Sequence, residues 1–250
     1  MKIISIRDIH IGEGLPKVIV PLIGKDKDFL LNELPLVKES APDIVEWRVD
    51  LLQGVENLEV VKDTLSYIRN FLYPIPLLFT FRSHKEGGST VIESTYYKQL
   101  LREVIQTKEI DLVDIELFSE DVEELVALAK DFQISVVMSS HDFKGTPPKE
   151  VIIERMTTMQ KLGADIPKIA VMPSSPPDVL TLLDATYTMY STYADRPIIT
   201  MSMAKAGIVS RMAGEIFGSA ATFGSVLSAS APGQIKAAEL KKILKLLHNA

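Results

Sequence analysis

A lysine is an unusual residue at position 168, because it lies at the start of an apolar run, PKIAVM. Buried lysines are rare unless the amine is paired, and the ordinary explanation is a side chain that extends its amine to solvent or to a carboxylate. The alternative is a partly dry site beside arginines, where desolvation and like charge both favour the neutral amine. A neutral amine attacks ketones and aldehydes to form a Schiff base. Lys168 is therefore a candidate for imine chemistry.

Other catalytic classes find less support in the sequence. The chain has no Cys, and none of its four His has a metal-ligand spacing with another, so we expect no thiolate site and no metal site. The motifs G-x-G-x-x-G, Walker A, H-E-x-x-H and G-x-S-x-G do not occur. His141 ends the apolar run that precedes the one with Lys168. A histidine there can simply hydrogen-bond a loop, or it can act as general acid and base beside an imine-forming lysine.

Charged side chains alternate with apolar ones in several short runs, such as EWRVD (46–50) and DIE (114–116). Because alternate residues of a strand face opposite sides, the charges of each run share one face. In a barrel the outward face packs under helices, so these charges should point inward. Buried charges are costly unless they are paired, and we therefore expect a mutually paired set that is open to a ligand.

The inward charges have both signs. They include Arg48, Arg82, Glu46, Asp114 and Glu116, and Arg211 adds a further guanidinium group. Arginines offer planar forks for carboxylate or phosphate, and the acidic groups can orient them or accept substrate hydroxyls. Each residue taken alone is explained as well by a structural ion pair. Their concentration near the carboxyl ends of adjacent strands favours a binding site.

The elements that must position these residues are short β-forming runs, each followed by a stretch with helical spacing. The strands are predicted at 18–23, 44–49, 76–82, 112–117, 134–140, 168–172, 197–203 and 221–226. Helices are predicted at 28–39, 58–71, 96–107, 121–131, 149–162, 178–193 and 234–248. Eight strands that alternate with helices predict an α/β fold, a closed parallel (β/α)8 TIM barrel. The first 16 residues alternate like a hairpin that could cap one end of the barrel.

Length and composition fit this architecture. The 250 residues contain no Pro/Ser/Gly-rich linker, so we expect one domain over 1–250. The net charge of −6 argues against nucleic acid and a polybasic membrane contact. The N-terminus is too charged for a signal peptide and no apolar stretch is long enough to span a bilayer, so we expect a cytoplasmic protein.

Two loops add to the candidate site. The segment 82–88 ends in two glycines, as expected for a mobile lid. The segment 228–234 leads toward the last helix, whose free N–H groups would favour an anion. Ordinary solvated loops are the alternative for both.

At these residues the chain resembles the type I 3-dehydroquinate dehydratases, a family of Schiff-base-forming enzymes of the shikimate pathway. The resemblance covers nearly the whole chain, in ordered motifs that are very specific. These motifs are EWRVDLL at 46–52, TFRSHKEGG at 80–88, DIEL at 114–117, SSHDF at 139–143, IPKIAVMP at 166–173, ITMSMAK at 199–205, SRMAGEIFGSAATFG at 210–224 and SAPGQI at 230–235.

The resemblance implies roles for the catalytic residues. Lys168 would form an imine with the C3 ketone of 3-dehydroquinate. His141 would take the C2 proton and then assist loss of the C1 hydroxyl as water, a syn elimination that gives 3-dehydroshikimate. Glu86, on the loop after the third strand, would assist His141 or the handling of protons.

The resemblance also implies substrate-binding residues. Arg211 would hold the substrate carboxylate. The other members of the set are Ser230 and Gln234 from a closing loop, Glu46, Arg48 and Arg82 at the ring hydroxyls, and Met203 against the ring. The family further implies a homodimer without a metal or an organic cofactor. Two alternatives remain open: a class I Schiff-base aldolase, and a non-catalytic barrel that binds keto acids.

Overall fold

The computed structural model describes residues 2–227 and 229–249. The strands are β1 (Ile4–Ile6), β2 (Ile9–Ile11), β3 (Lys17–Leu22), β4 (Ile44–Arg48), β5 (Leu77–Thr80), β6 (Leu112–Glu116), β7 (Ser135–Asp142), β8 (Ile166–Val171), β9 (Ile199–Ser202), β10 (Ala221–Ser225) and β11 (Ile235–Lys236). The helices are α1 (Lys27–Glu39), α2 (Leu58–Leu72), α3 (Ser94–Thr107), α4 (Val122–Asp131), α5 (Lys149–Lys161), α6 (Pro176–Thr188), α7 (Ile208–Met212), α8 (Gly214–Phe217) and α9 (Ala237–His248).

Eight parallel strands, β3 to β10, form the barrel. The sheet runs β10–β3–β4–β5–β6–β7–β8–β9, with β11 beside β10. The remaining gap, between β9 and β10, is bridged just before these strands begin. There Ile198 pairs with Ser219, and the N–H of Ala220 donates to the carbonyl of Ile198 at 2.8 Å. The predicted (β/α)8 barrel is confirmed.

The two faces of each strand serve different purposes. Outward residues such as Trp47 and Phe79 pack with helix residues such as Leu65 in the large apolar layer beneath the helices. Inward residues at the amino ends of the strands form a second, smaller apolar cluster inside the barrel. Its strand residues there are Ile19, Ile44, Leu78, Leu112, Val137, Ile166, Ile199 and Ala221. The charged residues follow these on the same face, nearer the carboxyl ends, as strand alternation predicts.

The N-terminal hairpin closes the amino end of the barrel, as predicted. Strands β1 and β2 pair antiparallel, with Ile4 opposite Ile11. Ile4, Ile6 and Ile11 are buried against the smaller apolar cluster. The side chain of Arg7 also donates to Asp111 at 2.6 Å, which ties the hairpin to the start of β6.

The region after β9 differs from the prediction. Two short helices, α7 and α8, occupy a stretch with no predicted helix, because neither is long enough to show a helical apolar period. The chain returns closely over the end of β9 at Gly207, where a Cβ atom would lie 2.3 Å from the carbonyl oxygen of Ser202. Only glycine fits such an approach.

Two predicted helices also have different bounds. The helix predicted at 178–193 ends as an α-helix at Thr188, and 189–193 form a π-helical turn. The last helix begins at Ala237, because 235–236 pair with β10. The loop 228–234 therefore does not lead directly into a helix N-terminus, and Ser228 lies outside the described residues. Among the helices of the described chain, none has both the length and the apolar character needed to cross a bilayer.

The closing function of the hairpin can be tested at Ile11, which is fully buried. We expect Ile11→Ala to lower the free energy of unfolding by about 2–5 kcal/mol, because it opens a cavity in the apolar plug. Ile3→Ala is the matched control, since Ile3 belongs to the same segment but is 43% exposed. Urea denaturation measures both variants. Equal losses at the two positions would contradict a hairpin that acts through its buried face.

Candidate active site

Lys168 lies inside the barrel on β8, with only 3% of its surface exposed. Its Nζ is 3.3 Å from Asp114 Oδ2 and 3.5 Å from Glu46 Oε1. The same nitrogen lies over the ring of Phe223, 4.6 Å from the ring centre. The nearest charged partners of the amine are thus two carboxylates, and Arg48, Arg82 and Arg211 line the same cavity. Both carboxylates are placed to stabilise a positive charge that develops on this nitrogen.

Arg82 holds the acidic groups in place. Its Nη2 donates to Asp114 at 2.8 Å, and its Nη1 donates to Glu116 at 2.9 Å and to the hydroxyl of Ser139 at 2.9 Å. Ser139 in turn donates to the second oxygen of Asp114 at 2.6 Å. Burial would raise the pKa of Asp114, but the charges of Arg82 and Lys168 outweigh it and hold that pKa below its usual value. Asp114 is therefore a stable anion beneath Lys168.

His141 and Glu86 form a second unit at the carboxyl end of β7. Glu86 Oε2 lies 2.8 Å from His141 Nδ1 and accepts the backbone N–H of His141 at 3.1 Å. Glu86 is carried by the loop after β5, in a short 3-10 turn over His84–Glu86. The two contacts fix both the ring and the backbone of the histidine, which leaves Nε2 as the ring nitrogen that Glu86 does not contact.

The acid–base properties of this pair are strongly perturbed. Burial raises the pKa of Glu86 to about 8, against the opposing charge of Arg82. Burial and the positive charges of Arg82, Lys168 and Arg48 hold the pKa of His141 well below its usual range. Because the two groups share a hydrogen bond, the proton released near this pH belongs to the pair.

Arg48 lies at the carboxyl end of β4. Its Nε and Nη2 donate to the two oxygens of Asp50 at 2.7 and 2.8 Å, and its Nη1 donates to the carbonyl of Ser230 at 3.4 Å. Asp50 is completely buried in a 3-10 turn over Val49–Leu51. Although strand alternation suggested Asp50 as an inward strand residue, it lies just beyond the strand, in this turn.

Arg211 is a buried cation of a different kind. It lies on α7 with 1% exposure, and in the described part of the chain no carboxylate comes within 4.0 Å of its guanidinium group. Its Nη2 donates to the carbonyl of Pro232 at 3.2 Å, while its Nε has no partner among the described residues. Burial lowers the pKa of Arg211 to about 10, so the group stays charged at neutral pH. An incoming anion would supply the missing countercharge.

Ser230 and Gln234 form a small closed turn near Arg211 and Arg48. The amide of Gln234 donates to the hydroxyl of Ser230 at 3.0 Å, and its oxygen accepts the backbone N–H of Ser230 at 2.9 Å. The turn holds the Ser230 carbonyl toward Arg48 and the Pro232 carbonyl toward Arg211.

A single cavity at the carboxyl end of the barrel brings the predicted residues together. All ten predicted site residues line it: Lys168, His141, Glu86, Glu46, Arg48, Arg82, Met203, Arg211, Ser230 and Gln234. The sequence analysis missed Ser139 and Phe223, although both face inward by strand alternation. Phe223 in β10 and Met201 in β9 add apolar wall. Within 2–227 and 229–249, no three acidic or histidine side chains are grouped to hold a metal ion.

Comparison with known sequences points to one family. The family model for type I 3-dehydroquinase matches residues 18–250. The 3-dehydroquinate dehydratase of Bacillus subtilis (strain 168) is 55% identical over 250 residues, which cover 99% of this chain and 98% of that protein. The 3-dehydroquinate dehydratase of Clostridioides difficile (strain 630) is 51% identical over 249 residues, with 99% and 98% covered.

Solved structures agree with the sequence matches. A type I 3-dehydroquinate dehydratase from Clostridium difficile, described with covalently modified comenic acid, has a TM-score of 0.96 and 50% identity, with 99% of this chain and 98% of that chain covered. The 3-dehydroquinate dehydratase of Geobacillus kaustophilus has a TM-score of 0.96 and 38% identity, with 99% and 97% covered. With a family model over nearly all of its length and relatives that share half of its residues, the chain belongs to the type I 3-dehydroquinase family.

Proposed function

We propose that this chain dehydrates 3-dehydroquinate to 3-dehydroshikimate by syn elimination through an imine on Lys168. The observation that carries the proposal is the buried amine of Lys168, which lies within 3.5 Å of two carboxylates. The same cavity contains Arg211, which has no carboxylate partner among the described residues. The family and the names of the relatives support the substrate. The covalently modified compound in the Clostridium difficile enzyme supports covalent chemistry in this family.

The first step is imine formation. The amine of Lys168 adds to the C3 ketone, and its two hydrogens leave with the carbonyl oxygen. Loss of the carbonyl oxygen as water leaves a C=N bond that is protonated far more readily than a ketone. Asp114 and Glu46 lie close enough to Nζ to stabilise the positive charge of the protonated imine.

The second step is elimination. His141 Nε2 takes the C2 proton, and the C2–H electron pair moves into an enamine as the iminium nitrogen accepts charge. The enamine then expels the C1 hydroxyl, and His141 returns the proton so that water leaves. Hydrolysis of the remaining imine releases 3-dehydroshikimate and regenerates the amine of Lys168. Glu86 supports His141 through the Nδ1 contact, which stabilises the ring while it carries the extra proton.

Substrate recognition follows from charge. The carboxylate of 3-dehydroquinate supplies the anion that Arg211 lacks. Glu46, Arg48 and Arg82 bind the ring hydroxyls, and Met203 packs against the ring. Ser230 and Gln234 close over the carboxylate from the loop before α9.

The central test uses wild-type protein and Lys168→Ala with 3-dehydroquinate. We expect wild type to produce the absorbance of a conjugated enone, and borohydride to reduce the imine to a secondary amine on Lys168 that peptide mass spectrometry detects. Lys168→Ala should give neither signal, because no other amine replaces the nucleophile. Lys205→Ala is the matched control, since Lys205 lies near the site but is exposed, and it should keep both signals.

The outcomes also separate the alternatives. An adduct on another lysine would overturn the assignment of Lys168. Cleavage of a carbon–carbon bond in place of enone formation would indicate an aldolase, and binding without turnover would indicate a non-catalytic barrel. A thermal melt of Lys168→Ala checks that the variant is folded.

The pH profile of kcat/KM tests whether His141 and Glu86 act as one acid–base pair. The active base is neutral His141 beside ionised Glu86, which exists only after the pair has lost its shared proton. Because the pKa of Glu86 is raised to about 8, activity should rise with pH up to about that value. In Glu86→Gln only His141 titrates, and its pKa is held well below 6.5, so the acid limb should move to lower pH.

The histidine variant completes this test. His141→Ala should still form the borohydride-trapped adduct but turn over about 100- to 10,000-fold more slowly, the usual contribution of a general acid–base group. Full activity in His141→Ala would remove the proposed role. An acid limb that stays in place in Glu86→Gln would show that the pair does not titrate as a unit.

Kinetics of an Arg211 variant test the proposed recognition of the substrate carboxylate. Arg211→Ala removes a charged hydrogen-bonding group worth about 1.5–3 kcal/mol, so KM should rise roughly tenfold to 100-fold while kcat changes less. Arg196→Ala is the control, because Arg196 precedes β9 and pairs with Asp195 away from the cavity. Initial-rate kinetics measure both variants. An unchanged KM in Arg211→Ala would contradict carboxylate recognition.

A further inference from the structure

Asp50 stands at the junction between the floor of the cavity and the loop that carries Glu86. Its side chain is completely buried and does not line the cavity itself. We propose that Asp50 is a positioning residue that couples the substrate-binding guanidinium of Arg48 to the placement of Glu86 and, through Glu86, of His141. The proposal rests on the proposed function, because it assigns the coupling to that same site.

The first connection of Asp50 is to Arg48. Both carboxylate oxygens accept from the guanidinium group, at 2.7 Å from Nε and 2.8 Å from Nη2. A two-point contact of this kind fixes the plane as well as the position of the guanidinium group. Nη1 is thereby left as the guanidinium nitrogen that Asp50 does not hold, and it reaches the Ser230 carbonyl at 3.4 Å.

The second connection is to both ends of the loop over 82–90. Asp50 Oδ1 accepts the backbone N–H of Arg82 at 3.3 Å, and Oδ2 accepts that of Ser89 at 3.4 Å. The backbone carbonyl of Asp50 accepts the hydroxyl of Thr90 at 2.6 Å. One residue thus holds the place where the loop leaves β5 and the place where it returns.

The loop between those two ends is a tight turn with little freedom of its own. The carbonyl of Ser83 accepts the N–H of Glu86 at 3.0 Å and that of Gly88 at 2.8 Å. A Cβ atom at Gly88 would lie only 1.8 Å from the carbonyl oxygen of Arg82, so the backbone of the returning half of the loop packs directly against the backbone of the departing half. A displacement of its ends would therefore carry Glu86 with it, away from Nδ1 of His141.

Asp50→Asn tests the coupling, because the side chains have the same shape but Asn offers one acceptor oxygen and no charge. We expect KM to rise as Arg48 loses its two-point contact. We also expect kcat to fall by about 10- to 100-fold, the effect of a misplaced catalytic group. In the Glu86→Gln background the kcat effect of Asp50→Asn should largely disappear, since its route to His141 is already broken.

Thr90→Val separates the two connections and serves if Asp50→Asn does not fold. It removes only the hydrogen bond to the Asp50 carbonyl, worth about 1 kcal/mol, so kcat should fall roughly fivefold with KM little changed. Asp111→Asn is the matched control, because Asp111 is also an arginine-paired carboxylate but lies at the amino end of the barrel. It should lose stability and keep wild-type kcat and KM.

Amide hydrogen exchange in the substrate-free protein gives a readout that is independent of activity. The amides of Glu86 and Gly88 should exchange faster in Asp50→Asn and Thr90→Val than in wild type. In Asp111→Asn their exchange rates should equal those of wild type. A folded Asp50→Asn with wild-type kcat, KM and loop exchange would overturn the coupling, and so would equal kcat effects with and without Glu86. Absence of enone formation by wild type would instead overturn the proposed function, while the exchange data would still test the coupling.

Discussion

Arg82 gathers three carboxyl groups, from Asp114, Glu116 and Glu86, in the interior of the barrel, where water is largely excluded. A charge in such a place is tolerated only when opposite charge and hydrogen bonds replace its hydration. The position of each ionisable group in the cavity therefore depends on the others. Asp114 remains an anion because Arg82 and Lys168 face it, and Lys168 remains buried because Asp114 and Glu46 receive it.

The same constraint shows which buried charges of the site already have an opposite charge beside them and which do not. Five carboxyl groups, Glu46, Asp50, Glu86, Asp114 and Glu116, and four basic groups, Arg48, Arg82, Lys168 and Arg211, are buried in or directly around the cavity. The two kinds of group are unevenly placed, because no carboxylate of the described chain lies within 4.0 Å of the Arg211 guanidinium group. In the proposed reaction the substrate carboxylate supplies the missing countercharge.

The sequence predicted this arrangement well where it depends on strand alternation. The inward position of Glu46, Arg48 and Lys168 follows from a period of two and from the apolar residues between them. Alternation does not tell which charge meets which, because Lys168 and Glu46 are 122 residues apart and meet only through the curvature and register of the closed sheet. For this reason the sequence placed arginines and acidic groups in the same site but did not show that two carboxylates, Asp114 and Glu46, lie nearest to the amine.

Departures from regular structure were harder to foresee. Asp50 leaves the strand in a 3-10 turn, so that its oxygens face Arg48 and the ends of the neighbouring loop. The short helix that carries Arg211 has too few turns for a periodic signal, so Arg211 could be named as a candidate from the sequence although the helix that holds it was not predicted. In both cases some of the contacts are with backbone groups of segments distant in sequence, which composition and period do not encode.

The isoleucine plug at the amino end of the barrel determines from which end ligands can reach the cavity. With that end filled by Ile4, Ile6 and Ile11, the cavity communicates with bulk water at the opposite, loop-bearing end. A substrate that enters and a product that leaves would then pass the same loops, and so would the water that the dehydration releases. A bound product would therefore block the next substrate until it has left the cavity.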